Sequence, residues 1–171
     1  AEKCGEYYIC DRWLGGTLTN LVTIRQSIKK LERIEKQIAA GGEGLTKKEL
    51  SLLTKLQIKL ERNLGGIRTL KRPPGLLVVV DPDREAIAVA EAKKLGIPVM
   101  ALVDTNCNPD PIDYVIACND DALKSIKLII DSLATVVVDK KTEMQIAIHE
   151  KGEEEPEEEE SKDEVAIEEG E

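Results

Sequence analysis

Leu76-Leu77-Val78-Val79-Val80-Asp81-Pro82 decides the fold. A half-solvated strand would alternate apolar and polar residues. This stretch instead runs five apolar residues together and closes on an Asp-Pro turn, the texture of a parallel strand buried on both faces. Downstream the pattern recurs with a helix between. Arg84 to Leu95 has helical spacing, Gly96 stands where a C-terminal cap belongs, and Val99-Met100-Ala101-Leu102-Val103 is a second apolar run ending at Asp104. Tyr114-Val115-Ile116-Ala117 reads as a third, shorter strand. Asp120-Asp121 then open a helix through Leu133, their carboxylates suiting the positive end of its dipole. Strand, helix, strand, strand, helix is a fragment of a doubly wound α/β sheet.

Upstream, Lys71-Arg72-Pro73-Pro74-Gly75 separates this sheet from a different texture. Apolar residues recur at Leu21, Ile24, Ile28, Leu31, Ile34 and Ile38, and again at Leu50, Leu53, Leu56, Leu60 and Leu64. Steps of three and four make each set one face of a helix. The Gly-rich stretch 41–44 stops the first helix, Thr46-Lys47-Lys48-Glu49 is a capping box for the second, and Gly65-Gly66 ends it. Two such helices form an antiparallel hairpin inserted into the α/β domain. Before it, Tyr7-Tyr8-Ile9-Cys10 reads as a strand, with a turn through Trp13 to Gly16 and with the oxygens of Thr17, Thr19 and Asn20 as acceptors for the free amides of the next helix. The predicted organisation is residues 1–20 as the start of the α/β domain, 21–66 as the hairpin, 67–148 as the rest of the α/β domain, and 149–171 as a tail. Four strands make a short sheet, so a further strand from a segment upstream of Ala1 is expected.

Charge divides the chain the same way. The formal net charge is −9, but Arg25 to Arg72 carries 13 basic and five acidic residues. From His149 onward there are 13 acidic residues and two Lys. A segment so charged and so poor in apolar residues cannot offset the entropy of ordering, so the tail is predicted to be disordered. The four cysteines form no C-x-x-C pair, which predicts reduced thiols, and no apolar run approaches a membrane span. A cytoplasmic protein without a membrane role is the expectation. With four aromatic residues and no Phe, base stacking is excluded as a main activity.

Two functional classes compete. Asp81 and Asp104 each follow a buried strand, where open α/β sheets bind ligands, and could hold a magnesium ion in a metal- or phosphate-dependent enzyme or a receiver-like signalling domain. Asp-Pro and Asp-Thr-Asn are also ordinary turn formers, which is the preferred reading. No Gly-rich phosphate loop and no nucleophile elbow is present, and His149, the one histidine, stands beside the acidic tail. Neither a metal nor a cofactor is therefore assigned. The other class is RNA binding through the hairpin. Arg25, Lys29, Lys30, Arg33, Lys36, Lys55, Lys59 and Arg62 fall off its apolar stripes, and Arg68, Lys71 and Arg72 follow it. A solvated helix face usually mixes signs, whereas this segment carries a surplus of eight positive charges. Such a rod suits phosphate and sugar contact and shape recognition of folded RNA.

Several motifs stand in register with one family: Arg12-Trp13-Leu14-Gly15-Gly16-Thr17-Leu18-Thr19-Asn20, Asn63-Leu64-Gly65-Gly66-Ile67, Val79-Val80-Asp81-Pro82, the run Ala90 to Pro98, the run Ala101 to Asp110, and Asn119-Asp120-Asp121-Ala122. Over about residues 1 to 138 the chain resembles the bacterial-type family of ribosomal protein S-two. The resemblance implies a flavodoxin-like parallel sheet, incomplete here, with an inserted helical hairpin. It also implies a structural, non-catalytic role in the small ribosomal subunit: binding ribosomal RNA and neighbouring ribosomal proteins, among them the large RNA-binding protein S-one. Carried over residue by residue, it adds Arg12, Trp13, Gly15, Gly16, Thr17, Thr19 and Asn20 to the RNA-facing set. The two glycines would let backbone amides approach phosphate, and for Trp13 core packing is preferred over stacking on a base. Cys118 stands where the family suggests Gly or another small residue, and an organellar origin stays open.

Overall fold

The computed structural model describes residues 1–41 and 44–153 of the chain, with side chains through residue 146. The sheet has three parallel strands, β1 (Leu77–Val80), β2 (Val99–Val103) and β3 (Tyr114–Ala117), in the order β1-β2-β3. Val79 stands beside Ala101, and Ala101 beside Val115. The helical hairpin is α1 (Leu21–Ala39) and α2 (Lys47–Leu64), α3 (Ala86–Lys94) crosses from β1 to β2, and α4 (Leu123–Glu153) follows β3. Two compact units result, Ala1–Ile129 and the residues from Ile130.

Local chemistry accounts for the element ends. Thr46 accepts from the Glu49 amide at 3.3 Å while Glu49 Oε2 accepts from the Thr46 amide at 2.8 Å, so the capping box forms as the spacing predicts. Gly96 has φ +68°, the left-handed geometry that closes α3. Asn119 Oδ1 accepts from the amides of Asp121 and Ala122, which makes the turn before α4 an Asx turn with Cys118 in place.

One core covers a face of the sheet. Val79, Val99, Ala101 and Val103 pack with Val89 and Ala92 of α3 and with Leu18, Ile97, Cys107 and Ile112, and Trp13 leans on the group. A second core seals the hairpin's base with Ile24, Ile28, Leu64, Ile67 and Leu70, joined by the half-buried Ile9, Leu14, Leu21 and Leu60. Residues 9–18 therefore bridge both cores.

Four expectations change. Tyr7–Cys10 is extended but among the described residues pairs with no strand; its apolar Ile9 serves the hairpin core, and the Tyr8 amide donates to the Gly66 carbonyl at 3.2 Å. Burial on both faces holds for the central β2 but not for β1, whose Val78, on the face opposite the buried Val79, is 42% exposed. The sequence pattern predicts the last helix to end at Leu133. α4 continues to Glu153, across the expected tail boundary at 149, because 134–148 still offers apolar residues at helical intervals. The acidic residues from 154 on lie outside the described residues.

Gly66 makes the junction of hairpin and strap testable. A Cβ there would lie 2.2 Å from the Tyr8 carbonyl oxygen and 2.7 Å from the Tyr8 ring. Backbone cannot yield as a side-chain tip does, so Gly66→Ala should lower stability by about 1–3 kcal/mol, read as a lower urea midpoint at unchanged slope. A wild-type midpoint would show that Tyr8 is not held against the hairpin.

Candidate RNA interface

The helical pitch sorts the cations. At about 100° per residue, Arg25, Lys29, Arg33 and Lys36 fall within about 80° of α1's circumference, roughly opposite the stripe of Ile24, Ile28, Leu31 and Ile34. The arc spans about 16 Å along the axis. Those four apolar residues are buried and the four cations exposed. One anion, the exposed Glu32, interrupts the arc. On α2, Lys55, Lys59 and Arg62 form a corresponding stripe, and Lys48 joins it one heptad before Lys55. Sequence reading missed Lys48, although the seven-residue step from Lys48 to Lys55 to Arg62 was visible. Lys30 lies to the side of the α1 arc, and Lys71 and Arg72 are exposed before β1.

Which of these cations are free is decided by ion pairs. Among the described residues Arg25, Lys29, Lys30, Arg33, Lys36, Lys55, Lys59, Lys71 and Arg72 make none. Arg62 pairs with Asp11 yet keeps 73% of its side chain in solvent. Arg68 differs: its guanidinium grips both carboxylate oxygens of Glu35, at 2.6 and 3.1 Å, and also Glu61. The hydrogen bonds of Glu35, then of Glu61, raise its pKa further, and Glu35 is pulled below the usual carboxylate range chiefly by Arg68. Arg68 is thus a clasp between α1 and α2, its guanidinium engaged by two carboxylates. It also neutralises acids that would otherwise oppose phosphate.

The loop before α1 is arranged around one carboxylate. Glu91 on α3 accepts from the Trp13 indole N–H at 3.2 Å and the Gly16 amide at 2.6 Å through Oε1. Its Oε2 accepts from the amides of Leu18 at 2.9 Å and Thr19 at 3.0 Å and from the Thr19 hydroxyl at 3.1 Å. Gly16 reaches this position with φ +88°, a conformation other residues adopt at a cost. Burial alone pushes Glu91 up. The amides of Thr19, Leu18 and Gly16 and the Trp13 indole more than reverse it, so its pKa is lowered and it stays ionised.

The geometry gives each loop residue a partner or an exposed face. The Gly16 amide, the Thr19 hydroxyl and the Trp13 indole are spent on Glu91, and Trp13 packs on the sheet core as preferred. Thr17 is buried and donates to the Leu14 carbonyl. Asn20 precedes α1 but caps no amide; its Oδ1 accepts from the Thr23 hydroxyl at 2.9 Å. Arg12, Gly15 and Asn20 remain exposed. They offer a guanidinium, a backbone amide and a carboxamide, all of which can donate to phosphate.

The strand ends show a different cluster. Asp81 accepts from the Arg84 amide and pairs with its guanidinium at 3.0 Å, and Asp104 accepts from the Thr105 amide at 2.7 Å, so both act in turns. Asp81 does so at φ 57°. Ligand atoms of Asp81, Cys107 and Asp120 lie within 4.8 Å of one another, a convergence the sequence did not reveal because Cys107 and Asp120 come from separate loops. Two carboxylates and a thiol suit a divalent cation by chemistry. Asp120 is 94% removed from solvent, and burial, then Asp81 and Asp104, pushes its pKa up. Arg84 on Asp81 and the Cys107 thiol, 3.9 Å from Asp120, already engage the group.

Comparison with known proteins bears on the same residues. The family model described as ribosomal protein S2 matches residues 1–140. The small ribosomal subunit protein uS2 of Protochlamydia amoebophila (strain UWE25) is 69% identical over 160 residues, covering 93% of this chain and 59% of that protein. The proteins of the same description from Chlamydia abortus and Chlamydia pneumoniae are each 60% identical over 148 residues, covering 86% of this chain and 54% and 53% of theirs. The chain thus spans little more than half the length of these relatives.

Proposed function

The chain belongs to the ribosomal protein S2 family, and from that premise we propose that it is a structural constituent of the small ribosomal subunit. It binds small-subunit ribosomal RNA through the hairpin and the loop before it, and it performs no catalysis. The observation that carries the reading is the pair of cation stripes on α1 and α2, exposed and, among the described residues, without ion pairs apart from Arg62. The donors of the contact are Arg25, Lys29, Lys30, Arg33, Lys36, Lys48, Lys55, Lys59, Arg62, Lys71 and Arg72, with Arg12, Gly15 and Asn20 at the hairpin's root. Residues 21–66 serve as the RNA-binding insertion, and the α/β body carries it. Neighbouring ribosomal proteins, among them the large RNA-binding protein S-one, and a cytoplasmic place of work follow from the family resemblance.

Salt tests this directly. Contact with about five phosphates should give log K against log salt a slope of about −3.5 to −4.5, so binding to small-subunit ribosomal RNA weakens about 100- to 500-fold between 50 and 200 mM salt. The measurement is filter binding or co-sedimentation with small subunits over that range. A salt-independent interaction would sink the reading, and magnesium-dependent turnover of a phosphate ester would favour the strand-end enzyme instead.

A further inference from the structure

We propose that Glu91 is the positioning residue of the RNA-facing loop: its carboxylate occupies the donor pocket of Trp13–Thr19 and so leaves Arg12, the Gly15 amide and Asn20 as the groups offered to RNA. The proposal rests on the RNA-binding reading above. Three backbone amides, a hydroxyl and an indole N–H converge on one side chain that is 7% exposed, which is more donors than a carboxylate's roughly four lone-pair directions. Among the described residues no Lys or Arg pairs with Glu91. A buried charge without a counterion persists only where hydrogen bonds replace its hydration, and here they come entirely from the loop. The dependence runs both ways. Without an anion at this point, the amides of Gly16, Leu18 and Thr19 would face one another with nothing to accept from them, and the chain would leave the φ +88° turn at Gly16.

The same contacts exclude phosphate from the pocket. An RNA phosphate approaching those amides would meet a carboxylate already bonded to them, at 2.6 to 3.1 Å, and be repelled. Glu91 stands more than 70 residues from the loop in sequence. It therefore locks the hairpin's root to α3 of the sheet layer. Loop donors and hairpin cations are then presented as one surface.

The experiment compares the full chain with Glu91→Gln, whose amide keeps the shape but turns donors toward donors, and with the exposed-site pair Arg12→Gln, Asn20→Ala. Trp13 is the chain's only tryptophan, so its emission reports the indole bond without a competing signal. Glu91→Gln should shift that emission to longer wavelength and speed exchange at the amides of Gly16, Leu18 and Thr19. It should also weaken binding to small-subunit ribosomal RNA about tenfold with helix content intact, the loss of roughly one charge-assisted bond. The exposed-site pair should weaken binding similarly while leaving emission and exchange as in wild type, which supports the proposal even if Glu91→Gln unfolds. Unchanged emission and exchange in Glu91→Gln would overturn it, as would wild-type affinity in a variant whose loop has loosened. Failure of the wild-type chain to bind the RNA would instead overturn the RNA reading, and the emission and exchange results would still report whether Glu91 holds the loop.

Discussion

Replacing Arg25, Lys29, Arg33 and Lys59 together by Gln is expected to reduce affinity for small-subunit ribosomal RNA by about ten- to a hundredfold at 0.1 M salt and to flatten the salt slope to about −2 to −3. Three of these residues share the α1 arc and Lys59 belongs to the α2 stripe, and none makes an ion pair among the described residues. Their removal breaks no ion pair among the described residues. Gln keeps most of Lys's and Arg's helix propensity, so circular dichroism and the urea midpoint should match wild type. If affinity falls but the slope does not, the lost contacts were not to phosphate. If neither changes, the stripes are solvated surface and the RNA contact lies elsewhere. Arg68→Gln is the contrasting case: it breaks the clasp on Glu35 and Glu61, so it should lower the midpoint more than it lowers the slope.

How much of this was legible beforehand depended on the range of the interaction. α1 and α2 declared themselves because their apolar steps and the Thr46–Glu49 box act over three or four residues. β2 declared itself because a strand flanked on both sides is apolar throughout. The hydrophobicity of β1 resembles that of β2, yet only the tertiary arrangement makes β1 an edge with Val78 in solvent. Tyr7–Cys10 misled for the same reason, since a β-prone sequence forms a strand only where a partner offers its backbone. In the candidate interface, exposure of the cations followed from the helical wheel, but their occupancy did not. That Arg68 meets Glu35, 33 residues away, and that Trp13 meets Glu91, 78 residues away, is written in no local pattern. The family motif spans Trp13 to Asn20, and in the structure Trp13, Gly16, Leu18 and Thr19 meet on Glu91. Only the geometry separates the members bonded to Glu91 from the exposed Arg12, Gly15 and Asn20.

The interior of the hairpin gives the largest expected change in stability. Leu31 is fully buried, at 0% exposure, midway along α1, so truncating it leaves a space inside the helix pair. Leu31→Ala should therefore cost about 2–5 kcal/mol, the range for a buried leucine whose surroundings collapse incompletely, and urea unfolding followed at 222 nm should show it as a lower midpoint. Its effect on RNA separates from that of the charge variant. Every cation remains, so the bound state still neutralises the same phosphates and the salt slope should hold near −3.5 to −4.5. Affinity should nonetheless fall, because RNA must now order a hairpin whose stripes no longer keep fixed spacing in the free protein. An unchanged urea midpoint would mean that the α1–α2 interior does not hold the rod together. A flattened slope would mean that the cavity displaces the cations themselves and that packing and phosphate contact are not separable in this hairpin.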